Sequence, residues 1–416
     1  MRKRIVITGM GCLSPLGLDV ESTWQAALAG RSGAGRITHF DPSEYKTQIA
    51  AEVKGFEPRN HFDVREARHM DRFAHFAVVS ARQAIRDSRL EITDENRGRI
   101  GAIIGTGIGG LGTILEQAKV QHDGGPGRVS PFLVPMMLAD TAGGMIAIDA
   151  QIQGPNMAVV TACATGTNAL GEAAEVIRRG HADVMLAGGT EAAIVPIAIA
   201  GLSSMTALSA RNDDPQHASR PFDKERDGFL MGEGAAILVL ESLEHAQARG
   251  ARILGEVLGY GVTNDAYHIS APAENGRGAA ECMQMAIKDA DLDGRKIDYI
   301  NAHGTSTQLN DRSETAAIKT VFGEQAYDIP ISSTKSMTGH MMGAAGALEA
   351  IFCLLAMRDD IMPATTNYEV PDPDCDLDYI PNQSRKKELK TVMSNSFGFG
   401  GHNATIILGK PLEATA

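Results

Sequence analysis

The stretch Met157 to Ala174, MAVVTACATGTNALGEAA, limits the possible folds more than any other part of the chain. An apolar run ends in small residues and Cys163 follows. A segment rich in Ala, Gly and Thr then continues through Val176 and Ile177 to Arg178-Arg179-Gly180. The pattern predicts a strand, a tight turn carrying the cysteine, and a helix that starts at or just after it. Taken alone, Cys163 reads as a buried structural thiol, since free cysteine is among the most buried residue types. Its place at a helix N-terminus supports a second reading. Unpaired N–H groups and the positive end of the dipole favour thiolate, the nucleophilic form.

The rest of the chain repeats this logic. Arg99 to Ile104 predicts a strand that ends in a Gly-Thr turn, GTGIGG, well before the cysteine stretch. In the second half, Ile297 to Ala302 predicts a strand whose turn reads HGTST. Ile329 to Ser332 predicts another whose turn reads STKSMTGH, followed by a small-residue helix over Met342 to Met357. Two similar α/β/α halves follow from this repeat, each a sheet covered by helices. The almost wholly apolar Ala182 to Gly189, and a similar strand within Gly228 to Glu241, suit strands covered on both faces. Helical spacing from Ser242 to Arg249 stops at Gly250, which sets the expected halves at 1–250 and 251–416. At the N-terminus, Arg4 to Thr8 predicts a strand, GMGCLSPLG a glycine turn and Val20 to Ala29 a helix. Asn403 to Leu408 predicts the last strand.

Several classes are disfavoured. A net charge of −12 argues against a general nucleic-acid binder. The five cysteines are odd in number, widely spaced and free of any CxxC pair, so neither a disulfide framework nor a zinc site is indicated. A reducing, cytoplasmic setting fits. The basic start MRKRIVITGMG has too short an apolar run for a signal peptide, and the run Ala192 to Leu202, interrupted by Pro196, is too short to span a membrane. Gly105, Gly107 and Gly110 match GxGxxG, but no acidic residue closes a second strand about twenty residues on. That match reads as backbone lying close to a site, not as a nucleotide fingerprint. Val64 to Ile85 predicts one long helix with Arg65, Arg68 and Arg72 on one face, either a solvated face or a docking patch.

Three predicted turns carry polar groups that apolar strands do not otherwise need: Cys163, His303, and Lys335 with His340. A lone histidine is ordinarily a hydrogen-bonded structural residue, and a lysine in a Gly/Ser turn is ordinarily solvated. All three turns follow strands, where open α/β sheets place their sites. A nucleophile with two imidazoles matches what acyl transfer followed by carbanion chemistry needs.

The blocks VVTACATGTNA, NAHGTSTQLND, STKSMTGHMMGAAG and NSFGFGGHN, in that order, resemble the β-ketoacyl synthases, and within them the elongating type II enzymes of discrete fatty-acid synthesis. The resemblance runs from Lys3 to Gly409. It implies the thiolase-like fold, two duplicated α/β/α halves in an α-β-α-β-α stack, usually as a homodimer. It implies a decarboxylative condensation with acyl carrier protein as partner and no redox cofactor. Cys163, His303 and His340 occupy the positions of its Cys-His-His site; a thiolase would show Cys-His-Cys and an initiating synthase Cys-His-Asn.

The resemblance further implies oxyanion-binding amides at Cys163 and Phe399, with Phe399 also gating the tunnel. Lys335 would orient His303, with Asp311 or Glu349 in support. Thr305 and Thr307 would position malonyl, and Ile108 and Leu202 would line the acyl pocket. Arg65, Arg68, His69 and Arg128 would dock the carrier, and a structural monovalent cation would sit near Asn301, Glu349, Ser394 and Asn395. Three positions depart from the usual pattern: Gln308 for proline, His402 for threonine, and Leu202 for an aromatic residue. Rival readings are a ketosynthase of an aromatic polyketide system, a non-catalytic partner subunit that would lack Cys163, and a cysteine peptidase, for which the second imidazole has no role.

Overall fold

The computed structural model describes residues 2–292 and 296–411. Ten strands form its main sheet: β1 (Ile5–Leu13), β2 (Ile100–Gly105), β3 (Asn156–Met157), β4 (Val184–Glu191), β5 (Gly234–Ser242), β6 (Gly255–Asn264), β7 (Tyr299–Asn301), β8 (Ile331–Ser332), β9 (Thr391–Gly398) and β10 (His402–Gly409). Their order across the sheet is β8-β7-β9-β10-β6-β1-β5-β4-β2-β3. Counted outward from the centre, β1-β5-β4-β2-β3 and β6-β10-β9-β7-β8 are the same arrangement. In each half the two inner pairings are antiparallel and the two outer ones parallel. The halves meet where β1 pairs antiparallel with β6, from Ile5 opposite Val257 to Ile7 opposite Gly255. The expected two sheets are therefore continuous across a short seam.

Helices form three layers around the two half-sheets. A short α1 (Val64–Ala67) leads into α2 (Arg72–Ser88), which covers β1, β4 and β5 from outside; α3 (Thr165–Arg178) lies between the halves. In the second half α4 (Arg277–Asp289) covers β6 and β10, α5 (Gln308–Phe322) packs beside α4, and α6 (Ala345–Asp359) lies against α3 in the middle layer. The α6 sequence AGALEAIFCLLAM is buried on every side, as befits a helix covered by both half-sheets. The middle helices touch closely. A Cβ at Gly166 would stand 2.7 Å from the Ala347 nitrogen, and one at Gly346 2.2 Å from Thr167 Oγ1. The outer α2 is amphipathic, with Phe73, Phe76, Ala77, Ala81 and Ala84 inward and Asp71 capping its N-terminus.

Three local expectations need correction. Gly9 and Gly11 lie within β1 and not in a turn, because α2 crosses there: a Cβ at either would stand 2.3 Å from Ala84 O or 2.1 Å from Ser80 O. Gly259 and Gly261 of β6 meet α4 in the same way, at Ala286 O and Cys282 O. The helix expected over Val64 to Ile85 breaks between α1 and α2, and Arg72 turns inward to pair with Glu233 at 2.7 Å. Arg72 therefore does not share a face with Arg65 and Arg68. Finally, the strand before Cys163 is only Asn156–Met157, since β3 is the sheet's outer edge with a single neighbour.

Candidate active site

Cys163 sits in a 3-10 turn, Ala162–Ala164, that opens directly into α3. Ala162 before it has φ +49°, an uncommon conformation for a residue with a Cβ. His303 follows β7 and is held through its backbone, since Glu314 on α5 accepts N–H bonds from His303 (2.9 Å) and Gly304 (2.8 Å). His340 follows the short helix Lys335–Thr338. These three turns converge: Cys163 Sγ and a ring nitrogen of each histidine lie within 4.8 Å of one another, all buried. The histidine rings stand edge-on, 5.3 Å between centroids.

The electrostatics of the trio differ from the expectation of a ready thiolate. Burial pushes the Cys163 thiol up to about 11, against the opposing pull of the Phe399 amide, Lys335 and its own amide. Desolvation of the charged form therefore outweighs the helix terminus. Both imidazoles are held well below the ordinary histidine range, first by burial and then by the Lys335 charge. They are neutral at physiological pH. The Met342 amide donates to His340 Nδ1 at 3.3 Å, which leaves the proton on Nε2. That buried Nε2–H, like His303 Nδ1, has no hydrogen-bond partner among the described residues. An unmatched buried donor costs roughly 1–3 kcal/mol, which a substrate oxygen would relieve.

Lys335 pairs with Glu349 of α6, both buried. Asp311 is not its partner. It lies 3.5 Å from the Arg226 guanidinium and accepts the Phe222 amide at 2.8 Å. Around the trio is a cavity of about 400 Å³, lined also by Thr305, Thr307, Phe229 and Phe399. The Thr305 and Thr307 hydroxyls are 3.0 Å apart. Leu202 packs in the apolar cluster that contains Cys163 and Phe399. Ile108 is not among the cavity's lining residues. Its side chain is exposed just before the helix Leu111–Gly124. Of the expected docking residues, Arg65, Arg68 and Arg128 are exposed, and His69 stacks on Phe132 at 3.8 Å.

Two buried acids escaped the sequence reading. Besides Glu314, Glu191 at the end of β4 accepts from Gly107 N (2.7 Å), Gly343 N (3.0 Å) and Thr106 Oγ1 (2.8 Å). An acidic residue closing an almost wholly apolar strand was the available signal for Glu191. Among the buried oxygens without a partner in the described residues are Asn301 Oδ1, Glu349 Oε2 and Ser394 Oγ. Asn301 and Ser394 are register partners on β7 and β9. An all-oxygen set of this kind fits a hard cation. Asn395, next to Ser394 on β9, accepts from Thr405 at 2.9 Å through its Oδ1, which leaves one lone pair of that oxygen. The trio is the only group of three His, Cys, Asp or Glu ligands among the described residues near enough to share a metal ion. Such an ion would occupy the sulfur and imidazoles that acyl transfer needs.

The chain is similar to known proteins over nearly its whole length. The family model for the β-ketoacyl synthase N-terminal domain matches residues 2–246, and that for the C-terminal domain matches 254–369. The 3-oxoacyl-[acyl-carrier-protein] synthase 2 of Synechocystis is 52% identical over 409 residues, 98% of each chain. The enzyme of that name from Staphylococcus aureus is 53% identical over 408 residues, again 98% of each. Among solved structures, a β-ketoacyl synthase from Burkholderia phymatum is 37% identical with a TM-score of 0.92, covering 99% of this chain and 100% of its own. A type II polyketide ketosynthase, solved with its acyl-carrier protein and bound to a hexaketide, is 36% identical with a TM-score of 0.92 and the same coverage.

Proposed function

The chain belongs to the β-ketoacyl synthase family, and on that premise we propose how its residues divide the work of fatty-acid chain elongation. The reaction is the decarboxylative condensation of malonyl-acyl-carrier-protein with an enzyme-held acyl chain, giving 3-oxoacyl-acyl-carrier-protein and carbon dioxide. Identity of 52% to 53% with elongating synthases, against 36% with the polyketide ketosynthase, favours elongation over polyketide assembly. The observation that carries the residue assignment is the convergence of one thiol and two neutral imidazoles within 4.8 Å.

Cys163 attacks the acyl-carrier thioester. The acyl carbon–sulfur bond to the carrier breaks, a new one to Cys163 forms, and the thiol proton leaves with the carrier thiol. The amides of Cys163 and Phe399, which both face Sγ, receive the oxyanion; one such donor is worth about 3–4 kcal/mol in a transition state. Malonyl-carrier then enters against Thr305 and Thr307. Its carboxylate leaves as carbon dioxide, and the electron pair passes to the thioester oxygen as an enolate. Nε2–H of His340 and the ring of His303 donate to that oxygen, which suits imidazoles kept neutral by burial. The enolate carbon attacks the acyl-Cys163 carbonyl and the sulfur departs as thiolate, taking up a proton.

Lys335, neutralised in part by Glu349, acts through its field on both histidines. Leu202 borders the acyl pocket and Phe399 gates it, helped by Gly400 and Gly401 at φ +80° and +75°. A monovalent cation near Asn301, Glu349, Ser394 and Asn395 would satisfy the unpartnered oxygens of the first three and steady the pairing of β7 with β9. The halves are assigned as 1–250, bearing the nucleophile, and 251–416, bearing the two histidines and Lys335; the bounds 1 and 416 lie outside the described residues.

The carrier protein docks at Arg65, Arg68, His69 and Arg128, where local positive charge works against a net charge of −12. A second copy of the chain covers the outer edge at β3, where Met157 (47%), Val160 (53%) and Ile148 (65%) are exposed. No described helix is long and apolar enough to cross a membrane, and a cytoplasmic location suits the carrier-bound substrates. The test supplies acyl-carriers of graded length with malonyl-carrier. Mass spectrometry should detect acyl-Cys163 and a 3-oxoacyl product two carbons longer; absence of both would overturn the assignment.

A further inference from the structure

The turn that carries Thr305 and Thr307 is strained and must be held by something outside itself. Gly304 and Ser306 have φ +39° and +68°. Thr307 is extended (φ −101°, ψ 146°) and caps α5, accepting from Asn310 N at 3.3 Å. Gln308 is the first residue of α5. At that position the amide has no helical partner and proline is the favoured residue, because its ring pre-sets the helical φ. Proline would also restrict the residue before it to the extended conformation that Thr307 has. Gln308 provides neither constraint covalently.

It provides a clasp instead. Gln308 Nε2 donates to Arg226 O at 2.7 Å and to Lys224 O at 3.3 Å. The Arg226 guanidinium returns the grip: Nε donates to Thr307 O at 3.1 Å and Nη2 to Gln308 O at 3.2 Å. Arg226 is itself fixed, its side chain wholly buried and donating to Asp223 O at 2.7 Å and Asp372 Oδ2 at 2.6 Å. A fifth bond runs alongside, from Gly228 N to Ser306 O at 3.1 Å. The two segments so joined are neighbouring parts of the lining of the same cavity: Thr305 and Thr307 in one, Asp227, Gly228 and Phe229 in the other.

We propose that Gln308 is a positioning residue that clasps the Thr305–Thr307 wall to the Asp227–Phe229 wall and thereby sets the malonyl side of the cavity. This rests on the assignment of Thr305 and Thr307 to malonyl binding. Gln308 also lines the cavity, but its side-chain NH₂ group is taken up by Arg226 O and Lys224 O, and the nucleophile stands on other elements, so the two half-reactions respond differently. Gln308→Ala removes both side-chain bonds and leaves the turn held only by Arg226 and the Gly228 amide, with more freedom to drift. Gln308→Pro removes the same bonds and restores the constraint covalently.

The experiment measures acylation of Cys163 from acyl-carrier, and KM and kcat for malonyl-carrier in condensation, for the wild type and both variants. Gln308→Ala should raise the malonyl-carrier KM about 5- to 10-fold and leave the acylation rate within about 2-fold. Gln308→Pro should return KM to within about 2-fold of wild type. An unchanged KM in Gln308→Ala, an equal loss in both half-reactions, or failure of the proline variant to restore KM would each overturn the clasp. Wild-type condensation, measured in parallel, tests the underlying reaction separately.

Discussion

Two turns of the same shape face each other across the duplication. Ala162–Ala164 leads into α3 and Met342–Ala344 leads into α6. Each begins with a non-glycine residue at positive φ, +49° at Ala162 and +47° at Met342, a conformation that costs about 1–3 kcal/mol. The middle residue is Cys163 in one and Gly343 in the other. At the first turn, the amides of Cys163 and Phe399 face the sulfur and the cavity. At the second, the Gly343 amide donates to the Glu191 carboxyl, together with Gly107 N and Thr106 Oγ1. The fold thus builds two seats of backbone amides at the N-termini of its paired middle helices. One is filled from within by a side chain. The other is the seat in which the proposed chemistry places a thioester oxyanion.

Removing the nucleophile should break the comparison most severely. Cys163→Ala keeps a Cβ in the turn and deletes the acyl acceptor, so condensation should fall by about 10³-fold or more and no acyl-enzyme should appear in the intact mass. Near-normal condensation by this variant would sink the assignment. Next in size, His303→Ala and His340→Ala should each lower condensation and malonyl decarboxylation by about 10²–10³-fold, the scale of a lost oxyanion donor. Acylation of Cys163 should suffer less than about tenfold. Because burial and Lys335 hold both imidazoles neutral, wild-type condensation should show no acidic limb near the ordinary histidine value of about 6.5.

The second turn should be sensitive in stability where the first is sensitive in rate. A Cβ at Gly343 would stand 2.5 Å from Gly107 N and 2.9 Å from the Thr106 backbone. Overpacking of that kind costs about 1–3 kcal/mol. Gly343→Ala should therefore lower the urea midpoint by a corresponding amount, while Cys163→Ala leaves it nearly unchanged. Equal midpoints for the two variants would mean that the turns are not constrained differently.

The chemistry-bearing residues were legible because each stands on a turn that an apolar strand does not need. Cys163, His303 and His340 could be named from that pattern and meet in the structure. The supporting groups were harder. Lys335 has two nearby acids in sequence terms, and only the packing of α6 settles on Glu349 over Asp311, which faces Arg226 instead. Glu191 and Glu314 leave little periodic signal, since their partners are amides brought in from other elements. Gly9 and Gly11 look like turn residues until a helix is known to cross them. The matching Gly259 and Gly261 were readable as a repeat of the same spacing, and would have given the duplication a residue-level anchor.

The smallest effect separates what the two seats hold. Glu191 is wholly buried, and burial raises its carboxyl from an ordinary 4.5 to about 7 against the pull of Thr106, Gly343 and Gly107. The folded chain then keeps a proton that the unfolded chain releases. Stability from this group is full below about pH 4.5 and is lost as pH rises through about 7. Glutamine has no proton to release. Its carbonyl can take the two amides, and its NH₂ group can face the Thr106 hydroxyl, which also accepts. The stability of Glu191→Gln relative to wild type should therefore climb from pH 4.5 to about 7 and level off above it, read from urea midpoints across that range. The buried imidazoles carry the opposite sign, losing stability as pH falls below about 6.5. They are present in both proteins, so they cancel in the difference, as do Glu314 and Glu349. A flat difference would show that Glu191 titrates in the folded chain at its ordinary value of 4.5, and at neutral pH the second seat would then hold a true anion just as the first is proposed to do during turnover.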